Sequence, residues 1–366
     1  MSRPLRARID LDALRHNLGC VRAAAPQSRV MAVVKANGYG HGLVRVAQAL
    51  REAEGFGVAC LEEAVRLRET GIQHPITLLE GFFDRDELAA VSHYRTIPVL
   101  HTERQIRQLE STGMPQPIDV WLKVDTGMHR LGFAPDTVPA MYQRLQACAN
   151  VNGIGLFSHL GYADDRRSAQ TQRQCDRFKS VFEDFSGVRS LANSGGLLGW
   201  PETQFDWIRP GLMLYGISPF SGDTGPDHGL RPVMTLESKL IAVNHFERGA
   251  AVGYGGAWVC PEDMPVGVVA AGYGDGYPRH APTGTPMLVN GRRTTLIGRV
   301  SMDMLCVDLR EQPQACIGDS VVLWGQDLPA EEIARCAGTI PYELVCAIAS
   351  RVPVEVIEAA SAAVVT

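Results

Sequence analysis

Several protein classes leave marks that this 366-residue chain lacks. It has no run of about 18 apolar residues, so no membrane-spanning helix is expected. The N-terminus, MSRPLRARIDLDALRHN, is positively charged but has no apolar core of a secretory signal, and the expectation is a cytoplasmic protein. Basic residues are not in excess: 35 Lys and Arg face 40 Asp and Glu, a net charge of −5, so no nucleic-acid partner is expected. The nine cysteines are odd in number and form no CxxC, and the nearest pairs, Cys306/Cys316 and Cys336/Cys346, lie ten residues apart. That spacing argues against a metal centre or a disulfide framework and for reduced thiols. No P-loop, HExxH, GxSxG or dinucleotide-binding fingerprint occurs, and the glycines of GYGDGY have the wrong spacing for the last.

What is present is a soluble, globular balance, 45% hydrophobic and 20% charged, in a chain long enough for about two domains. Over the first 212 residues, short apolar runs alternate with amphipathic helical patterns. The runs predict eight strands: 30–35, 56–60, 76–81, 96–101, 120–125, 151–159, 189–194 and 206–211. Leu11, Leu14, Leu18 and Val21 form one helical stripe behind Asp10 as N-cap, and Phe178, Val181, Phe182 and Phe185 form another. A helix followed by eight strand–helix steps predicts a (β/α)8 barrel, with a short seventh crossover. Beyond about residue 229, helical periodicity vanishes until EEIARCAG (331–338), and Gly and Pro punctuate apolar stretches such as KLIAVNHF, VGVVAAGYG and SVVLWG. The expectation is α/β + β: a barrel over 1–228, then a mostly antiparallel β domain over 229–366.

Barrel enzymes carry their chemistry where the strands end. The first strand ends in Lys35, followed by Asn37, Gly38, Gly40 and Gly42. A lysine closing an apolar strand can be desolvated and attack a carbonyl, and the glycines let a ligand approach the backbone. A plain salt bridge at a strand end would explain the lysine as well. The seventh strand ends in Asn193-Ser194-Gly195-Gly196 and the eighth in Arg209-Pro210-Gly211. Turns at these two positions often bind phosphate through backbone N–H groups. Together with Lys35 they point to a phosphorylated carbonyl cofactor, pyridoxal 5′-phosphate (PLP). The fifth strand leads from Lys123 to Arg130, whose planar fork suits a carboxylate or a phenolic oxygen; the sixth ends at His159, which either supports a ligand-holding neighbour or is a structural histidine.

The segments VVKANGYGHG, KVDTGMHRLG, RPGLMLYG, VGYGG, GYGDGYPR and GRVSMDM together resemble the bacterial alanine racemases, PLP enzymes of fold type III, from about residue 5 to the C-terminus. The resemblance implies an isomerase (EC 5.1.1.1) that interconverts L- and D-alanine, working as a head-to-tail homodimer. Lys35 resembles the Schiff-base lysine and one catalytic base. Tyr254 resembles the second base, which reaches the site from the other subunit. Tyr39 and Tyr342 resemble tyrosines on the cofactor phosphate, with Ser194, Gly211 and Leu212. Arg209 resembles the arginine facing the pyridine nitrogen, and His159 its partner. Arg130 resembles the residue on the phenolic oxygen and the substrate carboxylate. Met302 and Asp303 resemble the partner subunit's contributors to the substrate site, and Tyr273 a tyrosine of the entrance. Lys123 matches a lysine carbamylated in several members, which would turn a cation into an anion able to hold Arg130.

Racemisation removes a proton from one face of Cα and returns one to the other, so two bases on opposite sides suit it better than one. Three readings compete: a PLP-dependent decarboxylase, a broad-specificity racemase, and a non-catalytic PLP carrier. No separate HxGS-type phosphate motif supports the first, the second would carry a secretion signal, and a carrier needs neither Tyr254 nor the β domain. D-alanine supply for peptidoglycan and alanine catabolism both match the pattern, and leakage to serine fits a pocket that discriminates only by size.

Overall fold

The computed structural model describes residues 3–181 and 185–358. Strand β1 (Arg6–Asp10) leads into a helix, Leu11–Ala24. Asp10 caps that helix by accepting the Ala13 N–H at 2.9 Å, and Leu14, Leu18 and Val21 are buried along its stripe.

Eight parallel strands then close into a barrel: β2 (Arg29–Val33), β3 (Gly55–Val58), β4 (Ile76–Leu78), β5 (Thr96–Leu100), β6 (Ile118–Lys123), β7 (Val151–Phe157), β8 (Arg189–Asn193) and β9 (Trp207–Arg209). Each overlaps one of the eight apolar runs, with β2, β3 and β6 starting one or two residues before theirs. β9 returns to β2 through Arg29 opposite Trp207 and Val30 opposite Ile208, which completes the ring. Strands buried on both faces need continuous apolar sequence, and these have it. Met31, Val99, Trp121, Phe157 and Trp207 pack as one buried cluster. Trp121 meets Phe157 edge to face, with centroids 5.8 Å apart, and donates its indole N–H to Thr77 Oγ1. Gly155 makes room for that indole; a Cβ there would stand 2.4 Å from Trp121 Cζ3. The seventh crossover is short, as expected: a helix at Ser194–Gly199 and a 3-10 turn at Pro201–Thr203. Of the second stripe, Phe178 is buried on the helix Gln170–Ser180, Phe185 is buried beyond it, and Phe182 lies outside the described residues.

The remaining strands are β10 (Met234–Phe246), β11 (Ala251–Val252), β12 (Trp258–Val259), β13 (Met264–Val269), β14 (Pro286–Val289), β15 (Arg292–Ile297), β16 (Leu305–Asp308), β17 (Ser320–Trp324) and β18 (Val354–Ile357). β11 and β12 form a small hairpin. The others join β1 in one sheet, ordered β13-β16-β15-β14-β17-β10-β1-β18, and all pairs but β1–β18 are antiparallel. The 13-residue β10 closes part of this sheet on itself, pairing through Leu236–Lys239 with β17 and through Leu240–Phe246 with β13.

The chain thus forms two compact units, each assembled from separate segments. The barrel unit spans Asn17–Leu214 with Pro219–Gly222. The β unit takes the chain from Asp223 onward, Tyr215–Ser218, and the N-terminal residues up to His16. A single boundary near Gly229 does not describe this division, because β1 belongs to the β unit. RARID buries only Ala7 and Ile9, a weak strand signal. Its arginines find their partners across the sheet: Arg6 and Arg8 both bond Glu237 on β10. The helix Pro341–Cys346 and the strand β18 also had no clear pattern in the sequence.

Candidate active site

β2 delivers Lys35 to the barrel mouth, and the chain then turns in a conformation that L-residues avoid. Ala36, Asn37, Gly38, Tyr39 and Gly40 all have positive φ, from 51° to 78°. Each non-glycine there costs roughly 1–2 kcal/mol. Hydrogen bonds hold the turn. The Asn37 N–H donates to Glu63 Oε1 at 3.2 Å, Asn37 Oδ1 accepts the Leu43 N–H at 3.1 Å, and the Gly42 N–H donates to the Asn37 carbonyl. Burial pushes the His41 imidazole down to about 4, so its Nδ1–H donates to the carbonyls of Tyr39 (2.7 Å) and Gly38 (3.1 Å). The sequence marked these glycines as room for a ligand; they also belong to a left-handed turn that aims Lys35 and Tyr39. Tyr39 Oη lies beside Gly211, where a Cβ would stand 2.6 Å from it. The Lys35 ammonium makes no hydrogen bond or ion pair among the described residues.

The ends of β8 and β9 supply polar groups with capacity to spare. Asn193 caps the helix Ser194–Gly199 through the Gly196 N–H (3.0 Å). Ser194 Oγ accepts the N–H groups of Gly211 (3.0 Å) and Met213 (3.3 Å), which leaves its own proton for an acceptor outside the described residues. The Leu212 N–H opens a 3-10 turn and has no acceptor within it. The Arg209 guanidinium is buried. Nη1 donates to Ser190 Oγ (2.6 Å), and Nη2 to the carbonyls of Ser158 (2.5 Å) and Leu191 (3.0 Å). His159 Nδ1 is 3.4 Å from Nη2, and the guanidinium lies 3.9 Å from the Phe157 ring centroid. Arg209 has no carboxylate partner among the described residues, and burial pulls it down to about 9. Its Nε–H and one Nη1–H have no protein acceptor among the described residues.

Lys123, at the end of β6, is buried 5.9 Å from the Phe157 centroid. Burial first, then Arg130 and Arg209, lower its ammonium to about 8. His159 is driven well below the usual histidine range by burial and then by Arg209, Lys123, Arg130 and Lys35. It is therefore neutral at pH 7. Asp125 shapes the loop that presents Arg130, accepting the N–H groups of Gly127 and His129 and bonding His129 Nδ1, each at 3.0 Å. Arg130 itself is exposed and unpaired among the described residues. Lys35, Lys123, Arg130 and Arg209 thus converge on one barrel mouth, where Asp125 is the one carboxylate acting on Lys123.

The remaining candidates sit in the β unit. Tyr254 starts a 3-10 turn between β11 and β12 and is 64% exposed. A Cβ at Gly255 would lie 3.6 Å from Arg299 Nη1, which places this turn beside the segment running to Met302. The Tyr273 and Gly274 N–H groups bond the carbonyls of Ser301 and Met302. Buried Asp275 anchors this loop through Arg3, Arg351 and the Gly272 N–H, and Arg351 also holds Asp303. Tyr254, Tyr273, Met302 and Met304 consequently present exposed apolar surface from adjoining segments. Tyr342, on the helix Pro341–Cys346, is partly exposed. The supports that sequence reasoning missed are Glu63, Ser158, Ser190, Asp275 and Arg351. Of the supporting residues, only His41 and Asp275 carried a signal, inside VVKANGYGHG and GYGDGYPR.

Fold and site define an α/β-barrel enzyme whose mouth gathers cations for an anionic ligand, followed by an antiparallel β domain. Residues 9–219 match the family described as "Alanine racemase, N-terminal domain", and residues 233–356 the "Alanine racemase, C-terminal domain". The alanine racemase of Shewanella sediminis is 53% identical over 350 residues, 95% of this chain and 98% of that one. The biosynthetic alanine racemase of Escherichia coli O6:H1 is 51% identical over 352 residues, 96% and 98% of the two chains. The crystal structure of biosynthetic alanine racemase from Pseudomonas aeruginosa, 44% identical, superposes with a TM-score of 0.95 and covers 98% of this chain and 100% of that one. The chain belongs to the alanine racemase family and is an enzyme of it.

Proposed function

We propose that the protein interconverts L- and D-alanine with PLP held in the barrel mouth, as a cytoplasmic homodimer in which Tyr254 of one copy serves the site of the other. The observation that carries this reading is the convergence of Lys35, Lys123, Arg130 and Arg209 on one mouth, with uncommitted donors facing it. Such a site suits a ligand that brings a phosphate and a carboxylate. PLP fits these residues: Lys35 offers an unpaired amine, and the Ser194 hydroxyl and Leu212 N–H offer donors for phosphate beside Tyr39 and Gly211. The open edge of Arg209 suits an unprotonated ring nitrogen, because the guanidinium has protons to give and none to accept. Tyr342 keeps the phosphate role that the resemblance implies.

When bound, PLP supplies the electron withdrawal that acidifies the substrate's Cα–H. The chain's own residues do the rest. Lys35 takes or returns a proton on one face of Cα, and the Tyr254 hydroxyl of a second copy does so on the other. Arg130 orients the substrate carboxylate, and the partner's Met302 bounds the pocket beside it. Tyr273 lines the entrance. Lys123 is a candidate for carbamylation, since an amine pulled down to about 8 has a substantial neutral fraction at pH 7–8. The exposed apolar face at Tyr254, Tyr273, Met302 and Met304 supports burial against a second copy. The cytoplasmic assignment is supported by nine free thiols and by the lack of any described helix long and apolar enough to cross a membrane. Two relatives named biosynthetic favour supply of D-alanine for peptidoglycan over alanine catabolism.

Chiral chromatography of L-alanine incubated with purified protein and PLP tests the reading. Convergence to equal L and D is expected. A protein that binds PLP and leaves L-alanine unchanged would overturn it.

A further inference from the structure

The opposite end of the barrel, where the strands begin, holds a second cavity of about 340 Å³. Thr96 at the start of β5 and Ile118 at the start of β6 mark its position. This volume lies at the small end of the range for ligand pockets. Its walls are unusual in their charge. Arg68 lies in the wall, and among the described residues its hydrogen bonds all go to carbonyls: Tyr94 (2.8 Å) from Nε, Ile72 and His74 (both 2.7 Å) from Nη1, and Arg95 (3.2 Å) from Nη2. These bonds tie two loops together but leave the positive charge without a carboxylate. Burial and then the neighbouring Arg95 pull Arg68 below the usual arginine range.

Arg95 is the more telling residue. Its backbone is left-handed, φ 49°, a conformation that long side chains seldom take and that marks strain worth explaining. The Ser92 carbonyl accepts its N–H, and Arg68 holds its carbonyl, so the backbone is fixed at both ends. The Arg95 guanidinium, however, makes no hydrogen bond or ion pair among the described residues. Two arginines thus share one cavity wall without an acid between them. Among the described residues Asp119 is the one carboxylate lining the cavity, and its Oδ1 accepts from Asn152 Nδ2 at 2.8 Å. Gln73 and Gln116 add amide donors.

We propose that this cavity binds a small organic anion, carrying a phosphate or clustered carboxylates, between the guanidinium groups of Arg95 and Arg68. The uncommitted fork of Arg95 matches either oxyanion, the one N–H that Arg68 has left on Nη2 adds a donor beside its charge, and the amides suit the remaining oxygens. An anion there also relieves the repulsion between the two cations.

The test is calorimetric titration of the PLP-loaded protein with inorganic phosphate and, separately, with citrate, for wild type, Arg95→Gln and Arg95→Lys. Bound PLP occupies the phosphate site of the barrel mouth, and the Arg95 variants separate binding in this cavity from any carboxylate binding at Arg130. At least one probe binds wild type. Arg95→Gln weakens that binding roughly tenfold or more, and Arg95→Lys retains part of it. Alanine turnover stays at the wild-type value and the melting temperature does not fall in either variant, since neither substitution removes a fixed hydrogen bond. Binding of phosphate alone assigns a phosphorylated ligand, and binding of citrate alone a polycarboxylate. If neither probe binds, or if Arg95→Gln binds as tightly as wild type, the proposal is wrong.

Discussion

Gly211 and Tyr39 offer a sharp test of how the barrel mouth is built. They come from the chain just after β9 and from the turn after β2, and they touch where a phosphate is proposed to sit. Gly211 has no left-handed φ, so alanine is allowed there by the backbone, and any effect of Gly211→Ala is steric. The new Cβ would stand 2.6 Å from Tyr39 Oη and 3.2 Å from Cζ. Ordinary contact requires the hydroxyl to withdraw by roughly 0.8 Å. Overpacking of this kind costs about 1–3 kcal/mol, and a shift of about 1 Å at a positioning group can cost about 100-fold in rate. Gly211→Ala is therefore expected to lower the melting temperature, speed the loss of PLP on dialysis, and reduce kcat/KM by about 10- to 100-fold. In a Tyr39→Phe background the clashing oxygen is gone and only the 3.2 Å approach to Cζ remains. The same substitution should then cost much less, giving a coupling of about 1–2 kcal/mol in a double-mutant cycle. Equal costs in the two backgrounds would refute the contact as the cause.

Tyr254→Phe should reduce racemisation by orders of magnitude while PLP retention and melting temperature hold, because the side chain is mostly exposed within its own chain; turnover at the wild-type rate would remove it as the second base. Arg209→Met should destabilise the protein by about 2–4 kcal/mol in denaturant titrations, since it strips donors from Ser190 Oγ and the Ser158 and Leu191 carbonyls at about 1–3 kcal/mol each, offset by release of an unpaired buried charge; an unchanged midpoint would contradict the hydrogen-bond inventory. Lys123 loses its proton near pH 8 when folded and near pH 10.4 when unfolded. The unfolded chain therefore holds more protons between these values, and stability rises with pH across that window. In CO2-free buffer, wild type should gain about 2–3 kcal/mol relative to Lys123→Met between about pH 8 and 10.5; parallel curves would show that Lys123 is not depressed.

Much of the barrel was legible because a strand buried on both faces announces itself locally. VMAVVK, TIPVLH and VWLKVD are apolar runs of the right length, each followed by a helical stripe. Lys35 stood out for the same reason, as a cation closing such a run beside a cluster of glycines. The left-handed turn after it was only partly legible. Gly38 and Gly40 signal positive φ, but Ala36 and Tyr39 adopt it because Glu63 and His41 hold the backbone there. β1 was missed because two inward residues make a faint pattern, and its register depends on Glu237, which lies more than two hundred residues away.

By itself, then, the sequence determined the strand and helix periods and the order of elements in the barrel, the class of both domains and the identity of the residues at the strand ends. Those follow from neighbours within a few positions along the chain. The tertiary structure alone decided which strands close the β sheet, that Lys123 is buried among cations, that Arg209 spends part of its donor set on three acceptors and leaves an open edge, and that Arg68 and Arg95 share a cavity without an acid between them. Burial and electrostatic proximity are sums over side chains that approach from distant parts of the chain, and no local pattern contains them.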